Sequence, residues 1–441
     1  MTRKLIVPLL IWAPAAIAAS ESTFYKDVLP VLQKNCQSCH RPGEIGPMPL
    51  LTFEQARPLA KAIRQAVLTK KMPPWFADPS AGKFANDRSL SPSDIATLVS
   101  WADSGAKEGA KKDAPKPVAF VDGWTIGTPD VVIEMSKAFS VPASGTINYQ
   151  YLIVPTGFTE DKWIQAAEFR PGNPAVVHHS SIYSREPDSS YAEGHAAGEF
   201  FELDNETPTT PRRRSTPLGR MFSAPDFPLH LQVFVPGGDA VVLPEGKARL
   251  VKAGSDVIFQ VHYTTNGKPT LDKSRIGLVF AKKPPVERIK TVRIQNGAAI
   301  KIAPGDPDFR LESRVVVQHE LKVIALQPHM HYRGRFFEYS VQYPSGESEV
   351  LLRVPKYDFH WQQTYYLSEP RLLPKGTILT VKAGWDNSAN NPRNPDPKAP
   401  VKGGPQSWDE MMAGFMEIAF DPAYTSMDFF RDAPVQAAST K

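Results

Sequence analysis

The 441-residue sequence predicts a multidomain protein, a small all-α domain followed by two all-β antiparallel sandwiches. Three observations predict it. Capped, one-sided apolar stretches of helical spacing crowd the first hundred residues. From about residue 119 onward, short alternating apolar runs separated by Gly- and Pro-rich turns replace them. Finally, 43 prolines and 28 glycines demand many turns, which disfavours a helical bundle. The boundaries that follow are 1–19 for a leader, 20–106 for the helical domain, 107–118 for a linker, and 119–284 and 285–435 for the two sandwiches.

The leader reads as a secretory signal peptide. Arg3 and Lys4 supply its positive start, Leu5 to Ile17 its apolar stretch, and Ala16-Ile17-Ala18 an A-x-A cleavage site. Pro8 and Pro14 break the run too often for a spanning helix, and no later segment is long and apolar enough to cross a bilayer. The mature chain is therefore expected to be periplasmic or secreted, with no transmembrane segment. Removing Arg3 and Lys4 lowers the formal charge from +5 to +3, a surplus too mild to suggest nucleic acid as a partner. With only two cysteines an exported chain has no disulfide framework, so packing must hold its cores.

In the helical domain, Phe24, Val28, Leu29, Val31 and Leu32 give one apolar face. Thr52-Phe53-Glu54-Gln55 is a capping-box start for a helix reaching about Lys70. Ser91 and Pro92 start another, with Ile95, Leu98, Val99 and Ala102 on one stripe and Gly105 as its stop. Both cysteines lie in Cys36-Gln37-Ser38-Cys39-His40, the C-x-x-C-H signature of covalent haem c attachment. Two thiols add to the haem vinyl groups, and His40 supplies an axial ligand. A dithiol or a disulfide between close neighbours would not require the adjacent histidine. Met72, in Lys71-Met72-Pro73-Pro74-Trp75, is the favoured sixth ligand, because it precedes the last helix on a proline-stiffened loop; Met48 in Gly46-Pro47-Met48-Pro49 competes. Three short helices around a haem resemble a class I cytochrome c, and a His–Met pair implies a raised potential suited to single-electron transfer. The stretch from Lys107 to Pro117 lacks periodicity and reads as the linker.

Beyond it, strands are predicted at Tyr149 to Val154, Ala175 to Tyr183, Asp256 to Tyr263, Ile276 to Phe280, Leu321 to Leu326 and Thr377 to Trp385, with no convincing helix. Five of the ten histidines fall in three strand-like phrases, Val177-His178-His179-Ser180, Gln260-Val261-His262-Tyr263 and Pro328-His329-Met330-His331-Tyr332. His329 and His331 are two apart, so on a strand they face the same way and can grip one metal. His178 and His179 are adjacent and can share a metal only at a strand end or bulge, or through different ring nitrogens. His262 alternates with Ile258 and Gln260 on one strand face. Met411 lies in Trp408-Asp409-Glu410-Met411-Met412. Neutral imidazoles suit copper, and a thioether favours its reduced form. His195, His230, His319 and His360 lack ligand-like spacing and are read as structural or surface residues. Pro211-Arg212-Arg213-Arg214 reads as a solvated basic loop.

In order, these phrases resemble the copper type II, ascorbate-dependent monooxygenases, the family of peptidylglycine α-hydroxylating and dopamine β-monooxygenases. The resemblance covers roughly residues 125–425, with similar turns at Leu243-Pro244-Glu245-Gly246 and Leu373-Pro374-Lys375-Gly376-Thr377. It implies two jelly-roll-like domains facing across an open, wet cleft. It also implies two coppers: an electron-storing one on His178, His179 and His262, and one on His329, His331 and Met411, where dioxygen and substrate meet. The implied activity is hydroxylation of a C–H bond, with His329, His331 and Met411 as the catalytic set. The family's disulfides are missing here. Positions by which peptide-amidating members grip a carboxylate are Gln327, Ala413 and Phe415, so a small, apolar or aromatic substrate is expected instead. The fused haem suggests that electrons from a periplasmic reductant or redox protein pass through it. A non-catalytic copper and haem electron carrier is the alternative.

Overall fold

The computed structural model describes residues 21–44, 46–121, 123–203, 228–235, 238, 240–425 and 428–433. The leader and the Arg212–Arg214 loop lie outside them. The described residues are mostly β-sheet, in several sheets with a multidomain organisation. None of their helices is long and apolar enough to cross a membrane.

The chain groups into two units. Of the described residues, the first takes 21–37, 48–73 and 90–118. Its helices run Phe24–Val28, Leu29–Asn35, Phe53–Ala56, Ala60–Leu68 and Pro92–Asp103. The Thr52 capping box forms as its sequence dictates, with Gln55 N donating to Thr52 Oγ1 and Gln55 Oε1 accepting from Thr52 N. Ser91 Oγ caps the last helix by accepting from Asp94 N at 3.1 Å, and Gly105 ends it at φ +91°. Phe24, Leu32, Leu98 and Trp101 are fully buried at its centre. The predicted linker belongs to this unit, because Lys107 O accepts from both Phe24 N and Trp101 Nε1, and Gln33 Nε2 donates to Lys116 O. Composition could not reveal these backbone partners.

The second unit holds the described residues from 119 to 433 together with those of 38–47 and 74–89. The sequence places 74–89 in the helical domain, whereas the structure packs it on the second sandwich. Trp75 and Phe84 lie against Tyr365, with ring centroids 4.9 and 5.5 Å apart. Asn86 Nδ2 donates to Thr364 O, while its Oδ1 accepts from Tyr366 N.

Every strand predicted in this unit is present, within a few residues. In the first sandwich, Asp256–Tyr263 lies between Gln150–Pro155 and Val177–Arg185, with Leu229–Phe234 beyond the latter. In the second, Ile378–Trp385 pairs with Phe309–Val317 and with Gly334–Gln342. The opposing layer is common to both halves. A nine-stranded sheet runs through Arg275–Phe280, Lys162–Arg170, Lys247–Val251, Glu287–Gln295, Ala413–Phe420 and Leu321–His329. Its halves join where Lys247–Val251 pairs in parallel with Glu287–Gln295. The two Leu-Pro-x-Gly turns set strand starts: Gly246 (φ +81°) leads into Lys247 and Gly376 (φ +91°) into Ile378. Val257, Phe259 and Ile276 centre one core, and Phe337, Val381 and Trp385 the other.

Candidate metal centres

Adjacent histidines need a break in strand alternation to face one point, and the ladder supplies one. His262 pairs with His179, but Tyr263 pairs with Val177, so His178 is the extra residue of a bulge at the strand's start. The bulge turns His178 towards its neighbours. His178 Nδ1 lies 3.0 Å from His179 Nδ1 and 3.3 Å from His262 Nδ1. Two nitrogens bound to one metal at about 2.0 Å in tetrahedral geometry stand about 3.3 Å apart, so the cluster already has ligand spacing. All three offer atoms within 4.8 Å of one another. Tyr149 Oη, 3.0 Å from His179 Nε2, engages the far side of that ring.

The second pair lies at the end of Leu321–His329. His329 closes that strand, His331 follows it, and their ring centroids are 5.2 Å apart at 90°. Each ring has an acceptor on Nδ1: Gln362 Oε1 at 2.5 Å from His329, and Asp409 O at 3.2 Å from His331. An amide or carbonyl oxygen can only accept, so both Nδ1 atoms carry hydrogen and both Nε2 lone pairs are left for a metal. The first cluster thus presents Nδ1 and the second Nε2.

Met411 lies half-buried, two residues before Ala413, which pairs with His329 across the ladder. Met412 points the other way, into the core. The turn that presents Met411 is held by buried Glu410, whose carboxylate accepts from His331 N, Arg333 N and Trp385 Nε1 at 2.7–3.0 Å. Burial pushes the Glu410 carboxyl up to about 8, against the pull of these donors and of Arg333.

The imidazoles are neutral at pH 7. Burial takes His178 and His329 down to about 4 and His262 to about 3; neighbouring imidazoles deepen the shift at His178 and His262, and the Gln362 hydrogen bond opposes it at His329. Burial and neighbouring imidazoles likewise hold His179 and His331 well below the usual histidine range. The converging neutral rings of His178, His179 and His262 form a donor set that fits a late transition metal.

The segment Tyr357–Gln363 brings the two sets together. Phe359, 1% exposed, lies 6.0–6.4 Å ring to ring from His178, His179, His262 and His331. His360, read as a structural or surface residue from its sequence, places Nδ1 3.4 Å from His178 Nε2. Its partner lies 182 residues away, and no spacing rule reports such a pair. His230 is buried, with its ring against Tyr183 and Phe415. The sheet face carrying His329 continues through Gln327, Phe415, Thr291 and Glu417. Thr291 is buried, and Glu417 pairs with buried Arg249, so this face is more polar than Gln327, Ala413 and Phe415 alone suggest.

At the front of the chain, Cys36 caps helix Leu29–Asn35 and packs half-buried against the helical core. Cys39 and His40 follow in the turn 38–47, where Gly46 N donates to Cys39 O and a Cβ on Gly46 would fall 2.7 Å from His40 Nδ1. Met72 N donates to Ala66 O at the end of Ala60–Leu68, and its side chain is half-buried. Met48 is 37% exposed, so it is no core residue.

No protein-family model matches the chain, and no curated protein matches it. Among solved structures, the chain aligns with infectious bursal virus derived T=1 particles at 8% identity, covering 66% of this chain and 70% of that one, with a TM-score of 0.17. A VP2 subviral particle of infectious bursal disease virus aligns at 7% identity, covering 69% and 74%, with a TM-score of 0.18. Scores this low carry no argument about fold or function.

Proposed function

We propose that this chain is an exported, copper-dependent monooxygenase that hydroxylates a C–H bond of a small organic substrate with dioxygen, drawing electrons through a fused c-type haem. One observation carries the reading: His178 Nδ1 lies at ligand spacing from the Nδ1 atoms of His179 and His262, while His331 stands across the Phe359 ring from His179. Three neutral imidazoles whose ring nitrogens converge at this spacing can offer their lone pairs to one cation.

His178, His179 and His262 would hold one copper, and His329, His331 and Met411 the other. Copper at these positions would supply one-electron chemistry toward dioxygen. The chain's own contribution is to keep the imidazoles neutral, to fix their tautomers through Tyr149, Gln362 and Asp409, and to exclude water with Phe359. Cys36, Cys39 and His40 would hold haem c, with Met72 as its second axial ligand, and Gly46 leaves His40 Nδ1 uncrowded. The polar face around Thr291 and Glu417 favours a small substrate bearing a hydrogen-bond donor over a peptide carboxylate.

The test is copper per haem in periplasmically matured protein, with a paramagnetic resonance spectrum of the oxidised state. Two type II coppers per haem, one lost in His262→Ala and the other in Met411→Ile, support the proposal, and oxygen uptake with a substrate panel completes it. Two coppers without oxygen uptake would leave an electron carrier. Haem without copper after reconstitution would end the reading.

A further inference from the structure

His178 is the histidine of the first cluster that its own strand holds least. It is the bulged residue, and it is more exposed than His179 or His262, each 7% exposed. His179 has Tyr149 on its Nε2. The group facing the Nε2 of His178 is His360 Nδ1, at 3.4 Å, with the two rings edge to face at 78°.

The segment that carries His360 is anchored at several points. Asp358 Oδ1 accepts from His360 N at 3.0 Å, and Arg393 pairs with the same carboxylate. Tyr357 Oη accepts from Met330 N and donates to Met330 O, between the two ligands His329 and His331. Gln362 holds His329. The strap therefore belongs to the second sandwich, yet it reaches a ligand candidate of the first.

We infer that His360 is a positioning residue for the first metal centre: accepting from His178 Nε2–H, it fixes the tautomer that leaves His178 Nδ1 free for the metal. This inference rests on the proposal that the cluster binds copper, but its first consequence is present without metal. With Nε2 protonated, the lone pair of His178 lies on Nδ1, where His179 and His262 converge. One strap then orients one ligand in each centre, His178 through His360 and His329 through Gln362. A hydrogen-bond partner of this kind changes metal affinity by about 10–100-fold when removed.

The experiment uses the full chain and its His360→Ala and His360→Gln variants. In metal-free protein, nitrogen-15 shifts of the histidine rings read the His178 tautomer directly. With copper alone as the probe, competitive titration reads affinity, and paramagnetic resonance reads the ligand field at each centre. The Nε2–H tautomer is expected to dominate in the parent, to give way to a mixture in His360→Ala, and to return in His360→Gln, whose Oε1 also accepts. First-centre affinity should fall about tenfold or more in His360→Ala and recover in His360→Gln, with the second centre's spectrum unchanged. An unchanged tautomer and affinity in His360→Ala would overturn the inference. So would a nitrogen splitting pattern that loses one nitrogen in both variants, since His360 would then be a ligand. If no variant binds copper, the metal-free tautomer still decides the inference, while the proposed function falls.

Discussion

Replacing His230 tests the electrostatics of the sheet face beside the second centre without touching a ligand candidate. His230 is 3% exposed, and burial, followed by Arg293, Arg249 and His329, lowers its imidazole to about 3. An unfolded histidine titrates near 6.5. Because the native value is depressed, the neutral ring costs nothing above pH 6.5; stability falls as pH drops below 6.5 and stops falling below about 3. At pH 5 the unfolded ring is protonated and the native ring is not, a difference of about 1.5 pH units, or about 2 kcal/mol at 1.36 kcal/mol per unit. Phe in place of His keeps an aromatic ring beside Tyr183 and Phe415, 4.6 and 5.1 Å away. The assay is urea denaturation of metal-free parent and His230→Phe protein at pH 7.5 and pH 5. Taking the difference between pH values cancels any packing change. The parent should lose about 2 kcal/mol more than the variant on acidification. An identical loss in both would mean that His230 is protonated in the native state, and would refute the reasoning.

Other outcomes follow from the same geometry. Gln362→Leu removes the acceptor that fixes the His329 tautomer, so copper at the second centre should bind about 10–100-fold more weakly in a chelator titration, with the first centre unaffected. Glu410→Leu leaves three buried donors unmet beside Arg333 and should cost at least about 3 kcal/mol in urea unfolding. Copper content should stay level from pH 8 to 5 and fall only as pH drops through about 4, where protons begin to compete at His178 and His329; loss of metal near pH 6.5 would contradict neutral, depressed imidazoles.

The sequence by itself determined the local pieces. Its caps at Thr52 and Ser91, its two Leu-Pro-x-Gly turns and its alternating strands act within a few residues, where backbone geometry and side-chain hydrogen bonding suffice. It also stated the condition for His178 and His179 to share a metal, a strand end, a bulge or different ring nitrogens, and the structure has a bulge there. Tertiary structure decided what depends on partners far along the chain. Residues 74–89 left their helical neighbours because Tyr365, almost 300 positions later, offers Trp75 and Phe84 an aromatic surface. The residues 107–117, featureless as a sequence, found backbone partners on the helices. His360 gained its place only because the strap from Tyr357 to Gln363 lies over the first cluster. A lone histidine has no periodicity to betray it; its meaning is set by what folding brings within hydrogen-bond reach.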